Sequence, residues 1–203
     1  HSLKRTVLID FVTTLARVLT RHGNRVGAIF ANGGSRIEKT IPARGGRLQV
    51  LRLVNDLMKQ PRLPRAPFTD LSPLLEGALR SIRSRSLVFI ISDFISAPGW
   101  ERALSLLNRR HEVLAIRLID PREIELPDIG PIFMEDAETG DQLYVDTHDK
   151  KFRRRFAEAA QRRELELNQA FKRAGVDALS LSTDEDLVRA IVRFAALRKQ
   201  RRT

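Results

Sequence analysis

The sequence contains no cysteine. That absence excludes a disulfide framework and the common cysteine-containing zinc sites, and it suits a reducing compartment, so the expected location is the cytoplasm. Trp100 and Tyr144 are the only tryptophan and tyrosine in 203 residues, which leaves little material for the stacking platforms of nucleic-acid binders. The four histidines, His1, His22, His111 and His148, show no H-x-H or H-x-x-x-H spacing, so no histidine-built metal site is expected. No apolar stretch approaches the roughly 20 residues of a membrane span, and no signal peptide is visible. Neither G-x-x-x-x-G-K-[ST] nor G-x-G-x-x-G occurs, and there is no G-x-S-x-G elbow. The chain opens on His1 rather than methionine, and we expect a piece of something longer.

What is abundant is positive charge, +11 net. Lys150, Lys151, Arg153, Arg154 and Arg155 form one basic cluster, and Arg198, Lys199, Arg201 and Arg202 another. Such patches attract nucleic acid or anionic lipid. Basic residues on the outer face of an amphipathic helix are more often plain solvated surface. Nucleic acid is therefore not the expected partner, and binding to nucleic acid or an anionic membrane surface through these basic helices stands as the alternative.

Apolar residues recur at three and four from Thr6 to Thr20, the stripe of an amphipathic helix. The segment VLIDFVTT within it superficially suggests a strand ending in a metal-binding turn, but the stripe places Phe11, Leu15 and Val18 on one helical face. Arg25–Ala31 reads as a strand, Asn32-Gly33-Gly34 as a turn, and Ser35–Ile41 alternates as an exposed partner strand, giving a hairpin. A second helix carries Leu48 to Met58. Pro61, Pro64 and Pro67 mark a stiff linker, and Leu71 to Ile82 form a third helix with Pro73 in its first turn. A fourth helix spans about Pro98 to Arg110, before the strand Val113–Ile119. Residues 131–146 read as two short strands around the turn Glu138-Thr139-Gly140-Asp141. A long helix from Asp149 to about Ala174 buries Phe152, Phe156, Ala160, Leu167 and Phe171 and ends at Gly175. Val176–Leu181 is a last strand, and Ser182 with Glu185 forms a capping box for a helix carrying Leu187, Ile191, Phe194 and Leu197.

The run LVFIISDFIS, residues 87–96, is the strongest strand signal. Without period-two alternation it reads as a strand covered on both faces, at the centre of a parallel sheet. In open α/β sheets ligands gather at the carboxyl ends of strands, so Ser92 and Asp93 stand where binding is expected. Thr69, in FTDLSPLLEGAL, can reach the same rim, and a hydroxyl with a carboxylate suits Mg²⁺. Thr69 can equally be a helix cap, in competition with Asp70 and Ser72. A metal-dependent hydrolase using Asp93 is a further alternative.

The segments GNRVGAIFANG, TDLSPLLEGAL, LVFIISDFIS, RRHEVLAIRLIDPREIELPDIG, MEDAETGDQLYVDT and AGVDALSLSTDEDLVRAIVRF together resemble the bacterial domain-of-unknown-function family fifty-eight. That family is similar to von Willebrand factor A domains. The resemblance implies a doubly wound, mostly parallel sheet with helices on both faces plus a small β-hairpin, as a single domain over residues 1–203 that lacks its first strand. It also implies a non-enzymatic protein-interaction module, partnered with a MoxR-type AAA+ ATPase, with any membrane attachment in segments outside this chain. In A domains a D-x-S-x-S turn, a threonine and a later aspartate hold a metal ion; Thr69 and Asp93 match the second and third elements, and the first is missing. Phe94 stands where many A domains have glycine. The expected metal residues are thus Thr69 and Asp93, an incomplete Mg²⁺ site, and the expected partner surface is Ser92, Phe94 and Trp100.

Overall fold

The computed structural model describes residues 4–31, 36–60, 69–135 and 142–193. Its elements run α1 (Lys4–Arg21), β1 (Val26–Ala31), β2 (Ile37–Arg44), α2 (Arg47–Met58), α3 (Ser72–Ser81), β3 (Leu87–Ser92), α4 (Trp100–Arg110), β4 (Glu112–Ile119), β5 (Pro131–Glu135), β6 (Gln142–Asp146), α5 (Lys150–Ala174) and β7 (Asp177–Ser182), followed by helical residues 187–193, here α6. Strands β3, β4 and β7 form a parallel sheet in that spatial order, Ile90 opposite Ala115 and Ala115 opposite Ala178.

Helices lie on both faces of this sheet, as the strand patterns require. Alternate residues of β4 point oppositely. Val113 and Ala115 join Ile90 against Leu75 of α3, Leu104 and Leu107 of α4, and Leu167 and Phe171 of α5. Ile116 and Leu118 join Leu179 and Leu181 against Phe11 of α1 and Ala190 of α6. One position differs from the reading of the sequence. The centre of the parallel sheet is β4, where Ala115 is fully buried, and not the segment 87–92; β3 pairs on one side only among the described residues. The expected β1–β2 hairpin is present as its own antiparallel pair. It packs beside α3, where Gly77 leaves room for the Ile37 side chain.

Local signals decide where helices start and stop. Asp149 accepts hydrogen bonds from Lys151 N (2.8 Å) and Phe152 N (3.3 Å) to open α5, and Gly175 closes it with a φ of 67°. The segment VLIDFVTT lies wholly in α1. The capping box expected of Ser182 and Glu185 does not form. Ser182 still belongs to β7, the chain needs a turn to leave the sheet, and Asp186 takes the capping role by accepting from Arg189 N at 2.8 Å. The expected turns at 32–34 and 138–141, the prolines of residues 61–68, Phe194, Leu197 and the basic terminus 198–202 lie outside the described residues.

After β3 the chain makes a tight turn that joins rim to core. Ser92 Oγ accepts from Phe94 N at 3.0 Å, and Asp93 Oδ1 accepts from Ile95 N at 3.2 Å. Between them Phe94 takes a φ of 59°, the left-handed region that favours glycine. Its ring goes inward, edge-on to Phe171 with centroids 4.9 Å apart, and 5.7 Å from Trp100. Phe94 and Trp100, expected at a partner surface, are 7% and 5% exposed. Their place in the sequence suggested a rim, but aromatic surface of this size is worth more in the core than at an edge.

Phe94→Ala and Phe94→Gly should both lower stability by roughly 3 kcal/mol through lost ring packing. The glycine variant should nevertheless be the more stable of the two by about 1 kcal/mol, since only it sheds the left-handed strain. Urea melts of the three proteins read that order directly, and alanine above glycine would contradict it.

His111 gives a second prediction. It is 3% exposed, both ring nitrogens lack a hydrogen-bond partner, and burial, with the neighbouring charge of Arg110, holds its pKa below the ordinary 6.5. A histidine depressed in the folded state contributes stability above its unfolded pKa and loses it as pH falls through about 6.5. The urea midpoint should therefore drop between pH 8 and pH 5.5, and His111→Leu should flatten that slope.

Candidate functional site

Parallel strands carry their carboxyl ends to one edge of the sheet, and here that rim gathers side chains from distant parts of the sequence. Asp93 follows β3, and its Oδ2 lies 3.4 Å from Lys4 Nζ in the first turn of α1. Lys4 Nζ also lies 2.6 Å from Glu123 Oε1, in the 3-10 turn Pro121–Glu123 after β4. One ammonium thus bridges two carboxylates from neighbouring strand ends. Asp120 shapes that turn by accepting from Arg122 N at 3.0 Å.

Thr69 comes to the same rim. Its carbonyl accepts from Ala97 N at 2.9 Å, and Leu71 N donates to Ser96 Oγ at 3.0 Å, which ties the loop before α3 to the turn after β3. Asp70, rather than Thr69, accepts from Ser72 N at 2.8 Å at the start of α3. The structure therefore brings Thr69, Ser92 and Asp93 into one region, while Phe94 and Trp100 sit beneath it.

Behind Asp93 the strand β4 contributes Arg117, a cation set among the apolar residues of 113–119. Its side chain is 12% exposed, it pairs through Nη1 with Glu164 of α5, and its buried Nε has no hydrogen-bond partner. Arg117, Asp93, Glu123 and Arg163 line a cleft of about 10 Å³. A small-molecule pocket is roughly 300–1,000 Å³, far larger than this cleft. The donors do not fit a divalent ion as they stand, because the free oxygen of Asp93 already faces an ammonium. No group of three or more His, Cys, Asp or Glu able to hold a metal occurs among the described residues.

The expected basic surface divides. Lys150, Lys151, Arg154 and Arg155 are exposed at the start of α5. Arg153 turns inward, pairing with Asp128 at 2.7 Å and donating to the Thr147 carbonyl. Asp128 also takes His148 Nδ1 at 2.6 Å, and these hydrogen bonds, His148 foremost, hold its carboxyl below the usual carboxylate range. Fully buried Thr147 accepts from Ile129 N at 3.0 Å and donates to the Gly130 carbonyl at 2.7 Å. Together they fasten the base of the β5–β6 hairpin to α5. Sequence reasoning missed Lys4, Glu123 and this clamp. The one signal it could have used is Arg117, a single charge inside VLAIRLI.

A family model described as "Protein of unknown function DUF58" matches residues 1–166. Uncharacterized protein Rv1480 of Mycobacterium tuberculosis is 34% identical over 197 residues, covering 97% of this chain and 61% of that protein. The chain thus spans 61% of the length of such curated relatives. Uncharacterized protein MAV169 of Mycobacterium avium is 38% identical over 160 residues, 79% of this chain and 94% of that one. Among solved structures, an aerotolerance-related membrane protein from Bacteroides fragilis aligns with a TM-score of 0.52 and 13% identity, covering 93% of this chain and 85% of that one, which is a likeness of fold. No helix among the described residues is long and apolar enough to cross a membrane. With the family model matching more than half of its residues, the chain belongs to the DUF58 family.

Proposed function

We propose that the chain is a non-enzymatic protein-interaction module of the von Willebrand A type, which captures its partner at the rim around Thr69, Ser92 and Asp93. The observation that carries this reading is a solvent-facing ionic cluster over a cleft far smaller than a small-molecule pocket. Paired charges at a rim set orientation and partner choice. By its resemblance the partner class is a MoxR-type AAA+ ATPase. The fold likeness to a membrane protein of Bacteroides fragilis supports a place as one domain of a membrane-attached protein.

The A-type reading is supported by two strands, β1 and β3, that each have one edge unpaired among the described residues. Val88, Phe89 and Ile91 of β3 are only half-buried, although the run LVFII is apolar on both faces, and β1 (VGAIFA) is equally apolar. A further parallel strand, supplied by a longer polypeptide, would pair with β3 and make it a central strand. In that longer protein, Mg²⁺ at Asp93 requires extra carboxylates and displacement of Lys4.

Two measurements test the proposal. In the full-length protein, Asp93→Arg should abolish partner capture while the melting temperature stays within a few degrees, because its carboxylate is 38% exposed and its ion pair with Lys4 contributes little to stability; unchanged capture would overturn the rim assignment. For the chain alone, millimolar Mg²⁺ should leave the melting temperature unmoved. A clear rise would mean that Lys4 yields Asp93 to a metal ion.

A further inference from the structure

The chain carries two exposed apolar faces of opposite charge. Among the described residues between Ile124 and Asp149 the exposed carboxylates are Glu125, Asp128, Asp146 and Asp149, with no Lys or Arg between them, in a protein of net charge +11. That acidic stretch contains the β5–β6 hairpin, whose cross-strand pair Phe133 and Tyr144 is 70% and 61% exposed with ring centroids 5.2 Å apart. Leu143, 60% exposed, stands on the other face of the same hairpin, and Ile129 at its base is 64% exposed. Exposed acids of the described hairpin region include Glu125 and Asp146.

The outer face of α2 is the converse. Leu48, Leu51 and Met58 are 82%, 54% and 58% exposed, at spacings that align them on one side of the helix. Arg47, Arg52 and Lys59 flank them in solvent. The only acid of α2, Asp56, is 12% exposed and held by Lys39 at 2.9 Å, so no carboxylate opposes an acidic visitor there. Helix α2 packs on α1 and β1, whereas the hairpin is fastened to α5.

We propose that these faces are two halves of one interface: the acidic, aromatic hairpin of one copy docks on the basic, leucine-bearing face of α2 in a second copy. Apolar contact supplies the attraction and the opposed charges set the register, as complementary potentials do at protein interfaces. A single hairpin–helix contact is small. A two-fold arrangement makes it twice, which brings the buried area toward the roughly 1,200–2,000 Å² of stable interfaces. The hairpin reaches its partner in a fixed direction because Thr147, Asp128 and Arg153 hold its base. This inference is independent of the rim and of any partner bound there.

Sedimentation velocity of the chain over a concentration series, at low and at high salt, tests it. A reversible dimer that weakens with salt is expected. Phe133→Ser with Tyr144→Ser, and separately Leu48→Glu with Leu51→Glu, should each weaken association by about tenfold or more, as losing buried anchors does. All four residues are exposed, so circular dichroism melts should stay close to those of the parent chain. Mixing the two double variants should recover part of the association, since the hairpin of one still meets the intact α2 of the other. A chain that stays monomeric at every concentration, a dimer indifferent to both double variants, or a mixture no better than either alone would overturn the proposal.

Discussion

The structure turns on how Phe94 is placed. A chain leaving a buried strand ordinarily sends successive side chains to opposite faces, so an acid held outward would be followed by a residue aimed at whatever lies on the other side. The left-handed backbone at Phe94 redirects it instead into the space between Trp100 and Phe171. That conformation costs a non-glycine residue about 1–2 kcal/mol, while a buried phenylalanine ring is worth roughly 3–5 kcal/mol. Packing wins, and the turn is fixed from below. Asp93 then stands on a stiff support although its own carboxylate is exposed to water, and α3, α4 and α5 all meet beneath it.

The charges above this support do a different job. Lys4, Asp93 and Glu123 have side chains 24%, 38% and 41% exposed, and ion pairs with this much water contribute little to stability. Lys4 also stands at the amino end of α1, where the helix dipole disfavours a cation. Two carboxylates holding an ammonium in such a place offset that penalty, and they arrange the rim more than they strengthen it. Arg117 is the exception. With its side chain mostly buried and its partner Glu164 on α5, it ties the central strand to the longest helix, and removing Glu164 would leave a mostly buried guanidinium unpaired.

Much of the fold was legible because its signals are local. The three-four stripe of α1, the apolar run of β3, the cap at Asp149 and the glycine at 175 each announce a conformation to their own neighbourhood. What could not be read was set by pairing across the sheet. LVFII and VLAIRLI are equally apolar, and only the order of strands decides that β4 is central and β3 is not. The misplacement of Phe94 and Trp100 has the same origin, since a rim position in sequence says nothing about which way a backbone with positive φ will aim a ring. At the site, Thr69 and Asp93 were within reach of motif reasoning, whereas Lys4 and Glu123 were not, because an ion pair spanning 119 positions leaves no local pattern.

The mismatch between composition and burial in β3 has a physical consequence. A strand with apolar residues on both faces and a free edge is a template for further pairing, and edges of this kind are usually blunted by charge, proline or a bulge. Within LVFIIS there is no charge and no proline, while β1 has Gly27 so close to the Ile41 carbonyl of β2 that a Cβ would sit 2.6 Å from it. Its bulge bends that hairpin, yet its outer edge is also without a protective charge from Val26 to Ala31. Two unprotected edges, both apolar and both beside helices α1 and α3, are better suited to receiving a strand than to facing water. The sequence of β3 is that of a strand covered on both faces, yet Val88, Phe89 and Ile91 stay half-buried, so composition and burial part company at a strand that pairs on one side only among the described residues.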